Sequence, residues 1–184
     1  MSPHSPVLLA LHLPLVCAVL ALAAQPAWAQ PQGKPPAAVA RWVAELMGGC
    51  SKAGGRPAKS PGLVTVADLN ADGLPDYVVD ASQLNCDGAG SLYAGPTGAE
   101  VALFIGRPGG AATKAYNGMA YGATVDATTT PHRVTLNLAG LPCGQANADR
   151  LPFSEWKACS RPLRWVAARN AFELGPPAPA GAAR

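Results

Sequence analysis

Apolar positions along residues 37–47 recur at helical spacing. Val39, Val43, Leu46 and Met47 form the stripe, Trp42 lies beside it, and Arg41 and Glu45 stand four apart on another face. This predicts one amphipathic helix, ended by Gly48-Gly49. Beyond it, from Leu63 onward, the signal changes to strands. Residues 63–67 and 77–79 are short β-branched runs on either side of an acidic segment, which reads as a hairpin, and 100–105 is a third strand. Residues 113–116 and 119–125 flank Asn117-Gly118 and predict a hairpin with a type I′ turn. In 133–138, Val134, Leu136 and Leu138 alternate with Arg133, Thr135 and Asn137, the pattern of a half-buried strand. Residues 163–166 and 171–174 flank Ala168-Arg169-Asn170 as a last hairpin, while 51–62, 85–98 and 140–160 read as loops. Six to eight short strands without crossover helices predict an α+β fold: one N-terminal helix followed by a mainly antiparallel β-hairpin domain.

The ends of the chain read differently. Residues 7–24 are almost wholly apolar, Pro26 breaks the run, and Ala27-Trp28-Ala29 puts small residues at a signal-peptidase site, so 1–29 is expected to be a signal peptide cleaved before Gln30. The first six residues carry no Lys or Arg, which leaves an uncleaved anchor as the alternative; His12, Pro14 and the Ala-x-Ala end weigh against it. Val16 before Cys17 is too large for a lipoprotein acceptor. Residues 30–36 are expected to be a disordered lead-in, 37–174 a single globular domain, and 175–184 a disordered Pro/Ala tail. The chain has a formal net charge of +3, with basic residues scattered and no run or aromatic interleaving, so nucleic acid is excluded as the expected partner.

Of five cysteines, Cys17 falls in the signal peptide. Cys50, Cys86, Cys143 and Cys159 remain, an even set that reads as two disulfides in an exported chain. Three connectivities are possible; neighbour pairing, Cys50 with Cys86 and Cys143 with Cys159, is the expectation. No Cys-x-x-Cys pair exists and His132 is the only histidine after residue 29, which does not suit zinc. The expected location is periplasmic or secreted, with no transmembrane anchor after cleavage.

Chemistry concentrates in residues 68–80. Counting from Asp68, side-chain oxygens fall at the first, third, fifth and ninth positions as Asp68, Asn70, Asp72 and Asp76. Gly73 at the sixth permits a tight turn, and the Leu74 carbonyl at the seventh can add a ligand. Three carboxylates so close repel one another unless a hard cation lies between them. An EF-hand fails on two counts: Val79 occupies the twelfth position, where a bidentate Glu belongs, and the flanks are strand-like.

The segment resembles the Asp-x-Asn-x-Asp-Gly-x-x-Asp element of FG-GAP and VCBS repeats. That resemblance covers about twenty residues and implies a calcium-binding hairpin with Asp68, Asn70, Asp72, Leu74 and Asp76 as ligands. Asp80, outside the element, is a candidate supporting partner. A propeller would need several repeats, and only one clean copy is present; residues 145–149 alternate similarly but lack the glycine. The chain also looks like small uncharacterised exported bacterial proteins through residues 68–80, Asn85-Cys86, Cys159 and Leu163-Arg164-Trp165, a likeness that implies no activity.

Other candidates are weaker. Ser82, Ser91 and Ser154 lack a nucleophile-elbow context. Asp80, Asp87, Glu100 and Asp126 could supply paired carboxylates, but nothing in the sequence sets their separation. Trp42, Trp156, Trp165, Tyr77, Tyr116 and Tyr121 read as core or cross-strand residues before they read as a binding groove, with Trp156 expected to be the most exposed. The function expected is an exported, calcium-stabilised, non-catalytic binding or envelope-associated module, with an envelope protein or a glycan as its partner. The alternative is a small periplasmic hydrolase with a calcium-shaped site near Asp76 and Asp80.

Overall fold

A computed structural model describes residues 33–178. The expected signal peptide, its cleavage point and the last six residues of the expected tail lie outside them. The described chain runs α1 (Ala37–Lys52), β1 (Arg56–Lys59), β2 (Val64–Ala67), β3 (Asp76–Asp80), β4 (Leu84–Asp87), β5 (Ala99–Arg107), β6 (Ala111–Ala120), β7 (Ala123–Asp126), β8 (Arg133–Ala139), β9 (Ala158–Val166) and β10 (Ala171–Leu174). None of its helices is long and apolar enough to cross a membrane. The α+β class holds. The single hairpin domain does not: the strands form two four-stranded sheets, ordered β2-β3-β5-β6 and β10-β9-β8-β7, and a β1-β4 pair, with every named pairing antiparallel.

Two buried clusters show how these parts stack. Val78, Val101, Leu103 and Ile105 on one face of the first sheet pack with Val134, Leu136, Leu138, Leu163 and Phe172 of the second. Tyr77, Val79, Ala102 and Phe104 on the opposite face pack with Val39, Val43 and Leu46 of α1. The first sheet is therefore the middle layer, and β3 is buried at every position because both its faces are covered.

Helix α1 runs through Gly48-Gly49 to Lys52, longer than its sequence suggested. Cys50 extends the stripe of Val39, Val43 and Leu46, is fully buried and is joined to Cys86. Tyr93 Oη donates to the Leu46 carbonyl at 2.5 Å, and a Cβ on Gly49 would stand 3.0 Å from Tyr93 Oη. Packing on the last turn thus overrides the weak helix propensity of two glycines. The disulfide also holds β4 beneath the helix end, where β4 pairs with β1, so two segments that read as loops become strands.

Asn117-Gly118 is not a turn. Both residues lie within β6, Asn117 opposite Ala102 and Gly118 opposite Val101. Asn117 Nδ2 donates to Glu100 Oε1 across the ladder at 2.7 Å, and the Tyr116 ring lies over Gly118, where a Cβ would come within 2.5 Å of Tyr116 Oη. The glycine makes room for an aromatic side chain two residues away on the same face.

The second disulfide, Cys143 to Cys159, closes residues 140–157 onto the start of β9. Trp156, expected to be exposed, is half-buried: its Nε1 donates to the Ala148 carbonyl at 2.7 Å and its ring covers Gly140. Beyond β10, Gly175 and Ala178 donate to the Pro162 and Ser160 carbonyls, so the described part of the expected tail lies along β9.

Candidate functional site

Ala67 at the end of β2 pairs with Asp76 at the start of β3, which makes residues 68–75 the loop of that hairpin. Its polar side chains fold onto its own backbone. Asp68 Oδ1 accepts from Ala71 N–H at 2.8 Å and Asn70 N–H at 3.3 Å, and its Oδ2 accepts from Gly73 N–H at 3.0 Å. Asn70 Oδ1 accepts from Asp72 N–H at 3.0 Å, Asp72 Oδ1 from Leu74 N–H at 2.8 Å, and Asp72 Oδ2 from Asn70 Nδ2 at 2.9 Å. Ala71 and Gly73, at φ 63° and 77°, curl the backbone so that these N–H groups point inward.

Asp76 closes the base. Its side chain is wholly buried, with Oδ2 accepting from Leu69 N–H and Oδ1 from Gly106 N–H at the end of β5, each at 2.8 Å. Burial pushes its carboxyl up from 3.8 to about 6; the two N–H donors oppose that rise, and the charges of Asp72 and Asp68 add to it. With the folded value raised, the folded protein binds more protons than the unfolded chain between 3.8 and about 6. The resulting stability is full below that window and lost as pH rises through it. Over the whole interval it amounts to about 3 kcal/mol. In EDTA, wild type should therefore lose stability relative to Asp76→Asn as pH goes from 4 to 7, measured by urea unfolding; parallel curves for the two proteins would rule this out.

The remaining candidates lie apart. Asp80 stands at the other end of β3, roughly 13 Å away by strand rise. It does not support the loop: Oδ1 accepts from Ser82 N–H and Oγ, and Oδ2 from Ala123 N–H at 2.9 Å. Asp76 and Asp80 are thus engaged separately, the first by the Leu69 and Gly106 N–H groups and the second by Ser82 and Ala123. Asp87 pairs with Arg56, Glu100 with Asn117, and Asp126 with Thr128. Gln145, first of the alternating residues 145–149, has its amide committed to the Glu155 carbonyl and Lys157 N–H. Among the aromatics, Trp165 and Phe172 are directly opposed across β9 and β10, Tyr77 is core, and Trp42 lies edge-on to Phe104 with Lys114 Nζ 3.4 Å from its ring centroid.

Two partners of the loop were not legible in the sequence. Gly106 supplies an N–H from thirty residues downstream. His132, the only histidine after residue 29, donates its backbone N–H to the Asp68 carbonyl at 2.9 Å and places Nδ1 3.1 Å from the same oxygen. Only its position just before an alternating strand hinted that it would lie at a sheet end.

A scan against protein-family models, a search of curated proteins and a search of solved structures each find no match. The test of a cation therefore rests on the donors. Among the described residues no three His, Cys, Asp or Glu side chains form a group that could hold a metal ion as they stand. The donor chemistry nevertheless suits a hard cation: all four side chains are oxygen donors, and no Lys or Arg among the described residues forms an ion pair with the three acids. With two lone pairs per oxygen, Asp68 Oδ2, Asn70 Oδ1 and both oxygens of Asp72 and Asp76 each accept one described bond and retain one acceptor site.

Proposed function

We propose that this chain is an exported, calcium-stabilised, non-catalytic module that binds an envelope protein or a glycan. The ion is assigned to Asp68, Asn70, Asp72, Asp76 and the Leu74 carbonyl. One observation carries this reading: three carboxylates, one of them wholly buried, gather within residues 68–76 at the turn of a hairpin, and no Lys or Arg among the described residues forms an ion pair with them. Calcium would supply the missing positive charge and favour the ionised form of Asp76. The two disulfides support an oxidising, extracellular-type environment. A partner surface is supported by residues 140–157, which are held by a disulfide and by Gln145 while Phe153 and Leu141 remain 51% and 55% exposed.

The test is a thermal melt of the chain from Gln30, disulfides intact, in calcium, magnesium and EDTA. At ten times a millimolar-range dissociation constant the ion should add about 1.4 kcal/mol, a rise of roughly 4 °C for a chain of this size. Asp72→Asn, at an exposed position, should abolish most of that rise. Identical melting in calcium and EDTA would remove calcium from the reading.

A further inference from the structure

We infer that the two large sheets are joined by a latch and a hinge at opposite ends of β3, and that the 68–76 loop is the latch. A hairpin loop need touch only its own strands, whereas this one reaches both sheets. Leu69 is 2% exposed and packs in the inter-sheet cluster with Val134 and Leu136. The Asp68 carbonyl accepts the His132 N–H one residue before β8 begins, with His132 Nδ1 at 3.1 Å. Asp68 therefore works in two directions, its carboxylate organising the loop through Ala71 and Gly73 and its carbonyl holding the entry to the second sheet. At the far end of β3, Asp80 accepts Ala123 N–H at the start of β7.

The two ties differ in kind. Asp80 is 3% exposed and is locked by Ser82 within a single turn of chain. Asp68 is half-buried, in a loop whose order depends on side chains, with Asp72 exposed. Loosening the loop should free the β8 entry while the Asp80 end holds, opening the inter-sheet core at one end beside Leu69 and Val134. Such a latch needs no ion, so it goes beyond the calcium reading and is judged on the metal-free protein.

Hydrogen exchange of the chain from Gln30 in EDTA, followed by mass spectrometry, tests it. In Asp68→Ala, amides of 132–134 should exchange about tenfold faster than in wild type, while 123 and 124 stay within twofold. Asn70→Ala, milder and confined to the loop, should show the same pattern at smaller amplitude if Asp68→Ala fails to fold. Asp80→Ala should show the reverse, fast exchange at 123 and 124 with 132–134 held. Unchanged exchange at 132–134 in both loop variants, or equal acceleration at the two ends, would overturn the latch.

Discussion

Replacing Cys50 and Cys86 together by alanine is expected to lower the melting temperature by roughly 12 °C. The bridge spans 36 residues, and the chain-entropy estimate for that separation is about 4 kcal/mol. Packing adds to it: Cys50 is fully buried and Cys86 is 3% exposed, so truncation also removes contacts between the helix end and β4. The loss should be local at first, with the last turn of α1 and the β1-β4 pair exchanging before the sandwich does. The Cys143–Cys159 pair, only 16 residues apart, should matter less, at about 3 kcal/mol. Calorimetry on the two double variants decides it. A larger loss from the second pair would show that residues 140–157, not the helix, are the element most in need of a covalent tie.

Asp76→Ala is expected to destabilise the fold by about 4 kcal/mol, from two buried donors each left unpaired at about 1–3 kcal/mol. Leu69 and Gly106 N–H both point at this carboxylate, one from the loop and one from the end of β5. Asp76→Asn should cost less in EDTA at pH 7. It keeps one acceptor and removes a buried negative charge, although its amide hydrogens must then face one of the two N–H groups. Urea unfolding of both variants gives the ordering. If alanine proves no worse than asparagine, the two N–H groups have found water, and the carboxylate is not what closes the loop.

The pattern of apolar positions carried a good deal of this fold. Helix α1 and strands β2, β3, β5, β8 and β10 stand within a few residues of where apolar spacing and β-branched runs placed them; α1 and β8 bury one stripe or face, while β3 and β5 in the middle layer are buried on both. Errors arose where local chemistry and tertiary packing disagreed. Gly48-Gly49 is a helix stop in isolation and lies inside a helix once Cys50 is anchored. Asn117-Gly118 is a turn in isolation and lies inside a strand once β5 offers a continuous partner. Strand β1 has no periodic signal, and β4 alternates Leu84 and Cys86 with Asn85 and Asp87 over only four residues, too few to stand out beside the glycine-rich stretch that follows.

The loop divides in the same way. Alternating oxygens around Gly73 are a local property, and the sequence alone determined that they would stand at the turn between two strands. Asp80 looked like part of that site because it is near in sequence. A strand carries residues about 3.3 Å further apart per step, and four steps put Asp80 at the other end of β3, bonded to Ala123. Only the tertiary structure decided that Asp76 would be buried against Gly106 and that the Asp68 carbonyl would meet His132. Those pairings join residues thirty or more positions apart, and they follow from how two sheets stack, which no local spacing encodes.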